Sequence, residues 1–206
     1  MRGRKHEGGF AAARKVFASS GGVLGTARAI RMGVHPRVLY AMRDAGAVVA
    51  ISRGLFRLAE RGDFSDPDLA LVALKAPRGA LCLVSALAFH GLTAQIPHEI
   101  YLALPAHAKA PLLDHPPVRV FYYDPATFDQ GLETHARDGI KVRVYGVERT
   151  IVDCFKFRNK IGLDVALEAL TAYCKRKQTH MDKLAEFARA CRVQRVMQPY
   201  LEAVLA

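Results

Sequence analysis

Residues 26–58, TARAIRMGVHPRVLYAMRDAGAVVAISRGLFRL, carry the strongest structural pattern in the chain. The pattern predicts two short helices followed by a β-hairpin. Thr26 stands where a hydroxyl accepts one of the unpaired N–H groups at a helix start. Gly33 ends that first helix. His35-Pro36 opens the second, with proline at the first helical position, where its missing N–H costs nothing. Val38, Leu39, Met42 and Ala45 form an apolar stripe at helical spacing, and Gly46 closes the helix. The other face carries His35, Arg37, Tyr40, Arg43 and Asp44. Val48 to Ile51 and Leu55 to Leu58 flank Ser52-Arg53-Gly54 in an extended, turn, extended pattern. Helix, tight turn, polar-faced helix and basic hairpin is the order of a winged helix-turn-helix. In such a unit the second helix enters a DNA major groove and the hairpin reaches the backbone or the minor groove. The predicted DNA-contacting residues are Thr26, Arg28, His35, Arg37, Tyr40, Arg43, Ser52, Arg53 and Arg57.

Charge distribution points the same way. Residues 1–62 hold twelve Lys or Arg against three acids, so nine of the eleven net positive charges fall there. The remaining 144 residues are nearly balanced. Phosphate neutralisation is the commonest reason for such local asymmetry.

A chain of 206 residues that is 51% hydrophobic has enough apolar side chain to bury a core. It reads as two domains, a winged helix over 1–62 and an α+β domain over 63–206. No apolar run approaches the roughly 18 residues that a membrane span needs. The basic N-terminus lacks the apolar core of a secretory signal, so a cytoplasmic protein is expected. Cys82, Cys154, Cys174 and Cys191 lie far apart without a CxxC pair, which predicts small buried thiols rather than a zinc site or a disulfide framework.

Residues 1–9 read as a loose basic arm. Phe10 to Ser19 then has Phe10, Ala13 and Phe17 at helical spacing, and Gly21-Gly22 stops it. After a polar linker, Glu60 to Ser65, Asp66 caps a helix that runs to about Leu74. The second domain opens with a strand over Ala80–Val84 and a helix capped by Ser85 and ended by Gly91. Strands are predicted over 99–104, 118–123, 132–135 and 140–145, with Asp138-Gly139 as a hairpin turn between the last two. In the last strand Val142 and Val144 share one face, and Lys141, Arg143 and Tyr145 share an exposed one. From Val147 onward, four apolar-striped segments predict helices. Strands first and helices afterwards give an α+β domain, its sheet covered by a C-terminal helical layer.

Three segments of this second domain resemble the AbiEi family of antitoxins. They are LVSALAFHGLTAQIPHEIYLALP (83–105), RTIVDCFKFRNKIGLDVALEAL (149–170) and ARACRVQRVMQPYLEAV (188–204). The stretch GGVLGTARAIRMGVHPRVLYAMRDAGAVVAISRGLFRLA is similar to the winged-helix head common in that family. These are bacterial proteins of type IV toxin–antitoxin systems, also known in abortive phage infection. The resemblance implies a modular protein whose head binds inverted repeats in double-stranded DNA and represses its own operon. It further implies that the second domain counters a nucleotidyltransferase-like toxin without a stable complex. Which residues neutralise the toxin does not follow from a motif, because the family's C-terminal domains vary.

Two other functions compete with a repressor and antitoxin. A winged-helix nuclease would need a D/E-x-K triplet, so that two acids hold Mg²⁺ and the lysine polarises the phosphate. No such triplet occurs, nor a P-loop, an HExxH or a GxSxG motif. His98, Glu99, His107, Asp114 and His115 crowd one region, but their irregular spacing suits surface residues better than metal ligands. No catalytic residue, metal or cofactor is therefore expected. A ligand-sensing transcription regulator, with the second domain as sensor, is the other alternative. Lys156, Arg158 and Lys160, joining two helices, are the candidates for a second basic surface.

Overall fold

The computed structural model describes residues 2–205. They divide into a first unit up to Leu71, joined by Asp138–Ile140, and a second of Val72–Arg137 with Lys141 onward. The sequence places the boundary earlier, after Gly62.

The first unit begins with α1 (Arg2–Ser19). Helix thus replaces the loose arm predicted for residues 1–9, except for Met1, which lies outside the described residues. Gly9 is a point of close approach: a Cβ there would sit 3.2 Å from Val38 Cγ2. A short strand β1 (Val23–Gly25), unforeseen from sequence, leads into α2 (Thr26–Arg31) and α3 (Pro36–Asp44). Then β2 (Val48–Ser52) and β3 (Leu55–Leu58) form the predicted hairpin. The three strands make an antiparallel sheet in the order β1-β3-β2. Phe17, Leu39 and Met42, all fully buried, pack with Leu24, Ala29, Val34, Val48, Phe56 and Leu58 into one apolar core. The stripe read off α3 is therefore its inner face, although Ala45 at its end is exposed. A single 3₁₀ turn (Ala59–Arg61) follows, then the linker.

Helix α4 (Pro67–Lys75) starts as predicted, with Asp66 Oδ1 accepting from the N–H of Leu69 at 2.9 Å. The division between the units falls inside it. Beyond it come β4 (Ala80–Leu81), α5 (Leu83–Phe89), β5 (Ile100–Pro105), β6 (Val118–Tyr123), the single-turn α6 (Pro125–Phe128), β7 (Leu132–Arg137) and β8 (Ile140–Tyr145). The predicted strand 80–84 is cut short at Leu81 because buried Leu83 takes a φ of +48°, which turns the chain sharply into α5. Cys82, not Ser85, precedes that helix. Ser85 lies within it and accepts the Tyr101 N–H at 2.8 Å, tying α5 to β5.

The five strands form a mixed sheet in the order β6-β5-β4-β8-β7. β5 runs antiparallel to β4 and parallel to β6, and β4 pairs parallel with β8. Asp138 (φ +50°) and Gly139 (φ +77°) both adopt left-handed backbone, as the predicted turn between β7 and β8 requires. Alternation divides the sheet. Tyr101, Ala103, Phe121 and Tyr123 point to one side, and Leu102, Leu104, Val118 and Val120 to the other. Val72 of α4 and Ala76, the residue just after it, cover the second side. The first is covered by α5 and by the C-terminal helices α7 (Val147–Lys156), α8 (Arg158–Ile161), α9 (Leu163–Cys174), α10 (Met181–Ala190) and α11 (Gln194–Leu205). The unit is α+β with a helical layer, as the order of its elements implies. Tyr145 departs from expectation: it is fully buried, because the face it shares with Lys141 and Arg143 turns under the helices at its end.

Beneath that layer lies a buried ion pair. Arg149 and Asp153, one turn apart on α7, are both 0% exposed, with Nε 3.0 Å from Oδ2. Nη1 of Arg149 donates to the carbonyls of Thr127 and Gln130 at 3.4 and 3.3 Å. The guanidinium carbon lies 5.2 Å from the Tyr145 ring centroid and 5.9 Å from those of Tyr123 and Phe187. Burial pushes the Asp153 carboxyl above its ordinary value, and Arg149 opposes that push. Replacing Asp153 with asparagine strands a guanidinium in the core. It should destabilise the chain by ~3–5 kcal/mol, read from the denaturation midpoint, while a paired Arg149→Met, Asp153→Leu variant should recover most of that loss.

A second titratable group in this unit sets a pH dependence. His90 Nε2 lies 2.8 Å from the Tyr145 carbonyl and donates to it. Burial lowers its pKa below 6.5, against the opposing pull of the Tyr145 carbonyl and Glu133. The unfolded chain therefore binds this proton more readily than the folded one, so the His90 contribution is present above the unfolded value and lost as pH falls through it. Stability should decline below about pH 6.5. A His90→Gln variant should flatten that decline in denaturation curves taken across the range.

Candidate nucleic-acid interface

Two features of local chemistry set the α3 surface. His35 stands at the helix N-cap with extended backbone, and its Nδ1 accepts the N–H of Arg37 at 3.2 Å. Pro36 follows, with φ already fixed for a helix. Between α2 and α3, Gly33 at φ +92° makes the turn that lets the chain reverse. With Leu39 and Met42 turned inward, His35, Arg37, Tyr40 and Arg43 are all exposed, Tyr40 to 43%. An aromatic ring left that open between two arginines gives the face both stacking and donor chemistry.

The charges on this surface differ in their freedom. Among the described residues the side chains of Arg28, Arg31 and Arg37 make no hydrogen bond or ion pair. Arg28 and Arg31, three apart on α2, share a face. Arg31 was not among the predicted contacts, although the same spacing from Arg28 marks it in the sequence. Arg43 is engaged: its Nε and Nη2 donate to Asp44 Oδ1 at 2.9 and 2.7 Å, and its guanidinium carbon lies 5.2 Å from the Tyr40 ring centroid.

The hairpin tip is fixed to α2. The Thr26 N–H donates to the Gly54 carbonyl at 2.8 Å, and its hydroxyl to the same oxygen at 3.3 Å. Thr26 is thus a pin rather than the predicted cap; Gly25 occupies the N-cap position, with no side-chain cap. Arg53 is exposed at the tip. Ser52 and Arg57 belong elsewhere than on a DNA-facing surface. Ser52 Oγ is buried with no hydrogen-bond partner among the described residues. Arg57 is 7% exposed, its Nη2 donates to Asp63 at 2.7 Å, and its guanidinium lies over Phe64. On β3 it pairs with Val23 and Val49 on either side, so it is the central strand that draws it in. It clamps the linker instead of reaching outward.

In the second unit the three predicted bases at the α7–α8 junction differ likewise. Lys156 and Lys160 are exposed, with ammonium groups 5.8 Å from the Phe157 ring centroid. Arg158 is half-buried and donates to the Phe155 carbonyl at 2.9 Å, closing the end of α7. Two lysines, not three bases, make that surface. The four cysteines are free thiols, with Cys82 and Cys154 buried and Cys174 and Cys191 half-buried. Burial pushes all four above the ordinary thiol value, which keeps them protonated and weakly nucleophilic. No group of three metal-ligating side chains occurs among the described residues. Among those residues, no helix is long and apolar enough to cross a membrane.

No protein-family model matches the chain, and no curated protein matches it.

The dual position of His35 gives a test of local design. His35→Ala removes the cap and should cost ~1 kcal/mol of stability. His35→Asp restores an acceptor and should recover it in thermal or chemical denaturation.

Proposed function

We propose that this protein is a winged-helix repressor of the AbiEi antitoxin type, binding duplex DNA through α3 and the β2–β3 hairpin. The observation that carries the proposal is the exposed row His35, Arg37, Tyr40 and Arg43 on α3, flanked by the unpaired Arg28 and Arg31 of α2. A helix of this kind fits a major groove, and a hairpin tip bearing Arg53 suits the adjoining backbone or minor groove. The concentration of positive charge in residues 1–62 supports it. The resemblance of residues 83–105, 149–170 and 188–204 to AbiEi antitoxins supports assigning toxin antagonism to the second unit, with inverted-repeat DNA as the operator and no enzymatic step. Lys156 and Lys160 are the side chains there most available to an acidic partner.

A cleft in the second unit favours the ligand-sensing alternative. It has a volume of about 620 Å³, with Val84, Tyr101, Ile161 and Val165 as apolar walls and Gln95, His98 and Glu99 among its polar groups. Its dimensions suit a small amphipathic molecule.

Full-length chain titrated with duplex DNA at several salt concentrations tests the main proposal. Affinity should fall steeply with salt, and Arg28→Ala, Arg31→Ala and Arg37→Ala should each reduce the slope of log K against log salt by about 0.9 if the residue neutralises a phosphate. Unchanged slopes in all three variants would exclude this surface. Co-expression with a nucleotidyltransferase-like toxin beside a promoter reporter tests the division of labour. Arg37→Ala should release the reporter yet leave growth rescue intact when the gene is driven from a foreign promoter. Lys156→Ala with Lys160→Ala should do the reverse.

A further inference from the structure

We infer that Asp44 is a specificity-determining residue of the α3 surface: it holds Arg43 by one edge so that the opposite edge meets the paired acceptors of a guanine. The inference rests on the duplex-DNA proposal above and adds to it a particular base and the residue that selects it.

Asp44 Oδ1 accepts from both Nε and Nη2 of Arg43, at 2.9 and 2.7 Å. A guanidinium carries five N–H donors in a planar fork. With the Nε edge committed, the end formed by Nη1 and the second hydrogen of Nη2 is the bidentate pair that remains. Two parallel donors of that kind match O6 and N7 of guanine in the major groove. Tyr40 beneath the guanidinium, at 5.2 Å from its central carbon, restricts the plane further. Arg43 is thereby oriented before anything binds.

The position of Asp44 argues for this role over a stabilising one. It is the last residue of α3, where unpaired carbonyls make the helix end negative and an acid is disfavoured. Its side chain is 65% exposed, so the ion pair with Arg43 adds little to folding. A carboxylate beside Arg43 repels phosphate oxygens, whereas the guanine edge offers acceptors with no net charge. The pair therefore discriminates between backbone and base. Arg37, six residues earlier on the helix and without a partner among the described residues, has no such restraint and is free to take phosphate.

Selection of duplexes from a random-sequence library by the full-length chain supplies the target, which is then remeasured with each guanine changed to adenine. One guanine should depend on Arg43, its discrimination disappearing in Arg43→Ala. Asp44→Asn, an exposed and isosteric change, should tighten binding to unselected duplex and steepen the salt slope by about 0.9, because Arg43 gains a phosphate. Discrimination at that guanine should fall by at least about five-fold. In an Arg43→Ala background, Asp44→Asn should leave discrimination unchanged. Uniformly tighter binding with guanine preference retained would overturn the inference, as would an equal loss of preference without Arg43. A chain that binds duplex with Arg28- and Arg37-dependent salt slopes, but shows no guanine tied to Arg43, overturns this inference alone. A chain that binds no duplex overturns the DNA proposal with it.

Discussion

The second unit is built around a charge that it has taken out of water. Arg149 reaches from α7 to the carbonyls of Thr127, in the last part of α6, and Gln130, just beyond it, and Tyr123 of β6, Tyr145 of β8 and Phe187 of α10 surround it. An isolated guanidinium there would be prohibitively costly. Asp153 on the same helix makes it tolerable, and the aromatic rings provide an electrostatically favourable wall. Because each of those partners comes from a different element, the pair fixes where α7 can lie. Apolar packing alone would allow the helix to slide or rotate; a directional group with few acceptors does not.

The first unit solves a different problem, which is to hold many like charges on a small body. Its core has few side chains, and Phe17, Leu39 and Met42 are the largest fully enclosed ones. Repulsion is lessened where a base finds an acid: Arg14 lies 3.9 Å from Glu60, Arg43 is held by Asp44, and Arg57 by Asp63. Three guanidiniums on α2 and α3 are left without such relief. Uncompensated charge raises the energy of the compact state, and an anionic partner is the natural source of compensation. On the proposed reading duplex DNA supplies that compensation, which is the electrostatic condition for salt-dependent association.

Much of this was legible in the sequence because local chemistry and burial agreed. Pro36 after His35, the Leu39 and Met42 spacing, Asp66-Pro67 and Asp138-Gly139 each name a helix start, a buried face or a turn, and the structure has them where the spacing puts them. Failures arose where tertiary position overrode local preference. Residues 1–9 read as a loose arm, but residues 2–9 belong to α1, and Gly9 is a point of close approach to Val38. Ser85 had the chemistry of a cap and instead ties α5 to β5. β1 has only three residues, too few for any periodicity to show. For the candidate site, the exposed face of α3 could be read directly. The withdrawal of Arg57 could not, since β3 becomes central only through pairing with β1. The restraint of Arg43 by the adjacent acid depends on rotamers that no spacing rule encodes.

Thr26 has a quieter consequence. By fastening the Gly54 carbonyl to the first turn of α2 with two hydrogen bonds, it joins the hairpin tip to the helical part of the unit. An untethered two-residue tip would otherwise sample many conformations, each of which a partner would have to exclude. Here that conformational entropy is surrendered during folding, when the core provides the compensating free energy, rather than at the moment of encounter. On the proposed reading, recognition at this surface is the docking of a rigid shape. Its selectivity is then governed by whether the partner's own geometry conforms, so a deformable partner bears the cost of fitting.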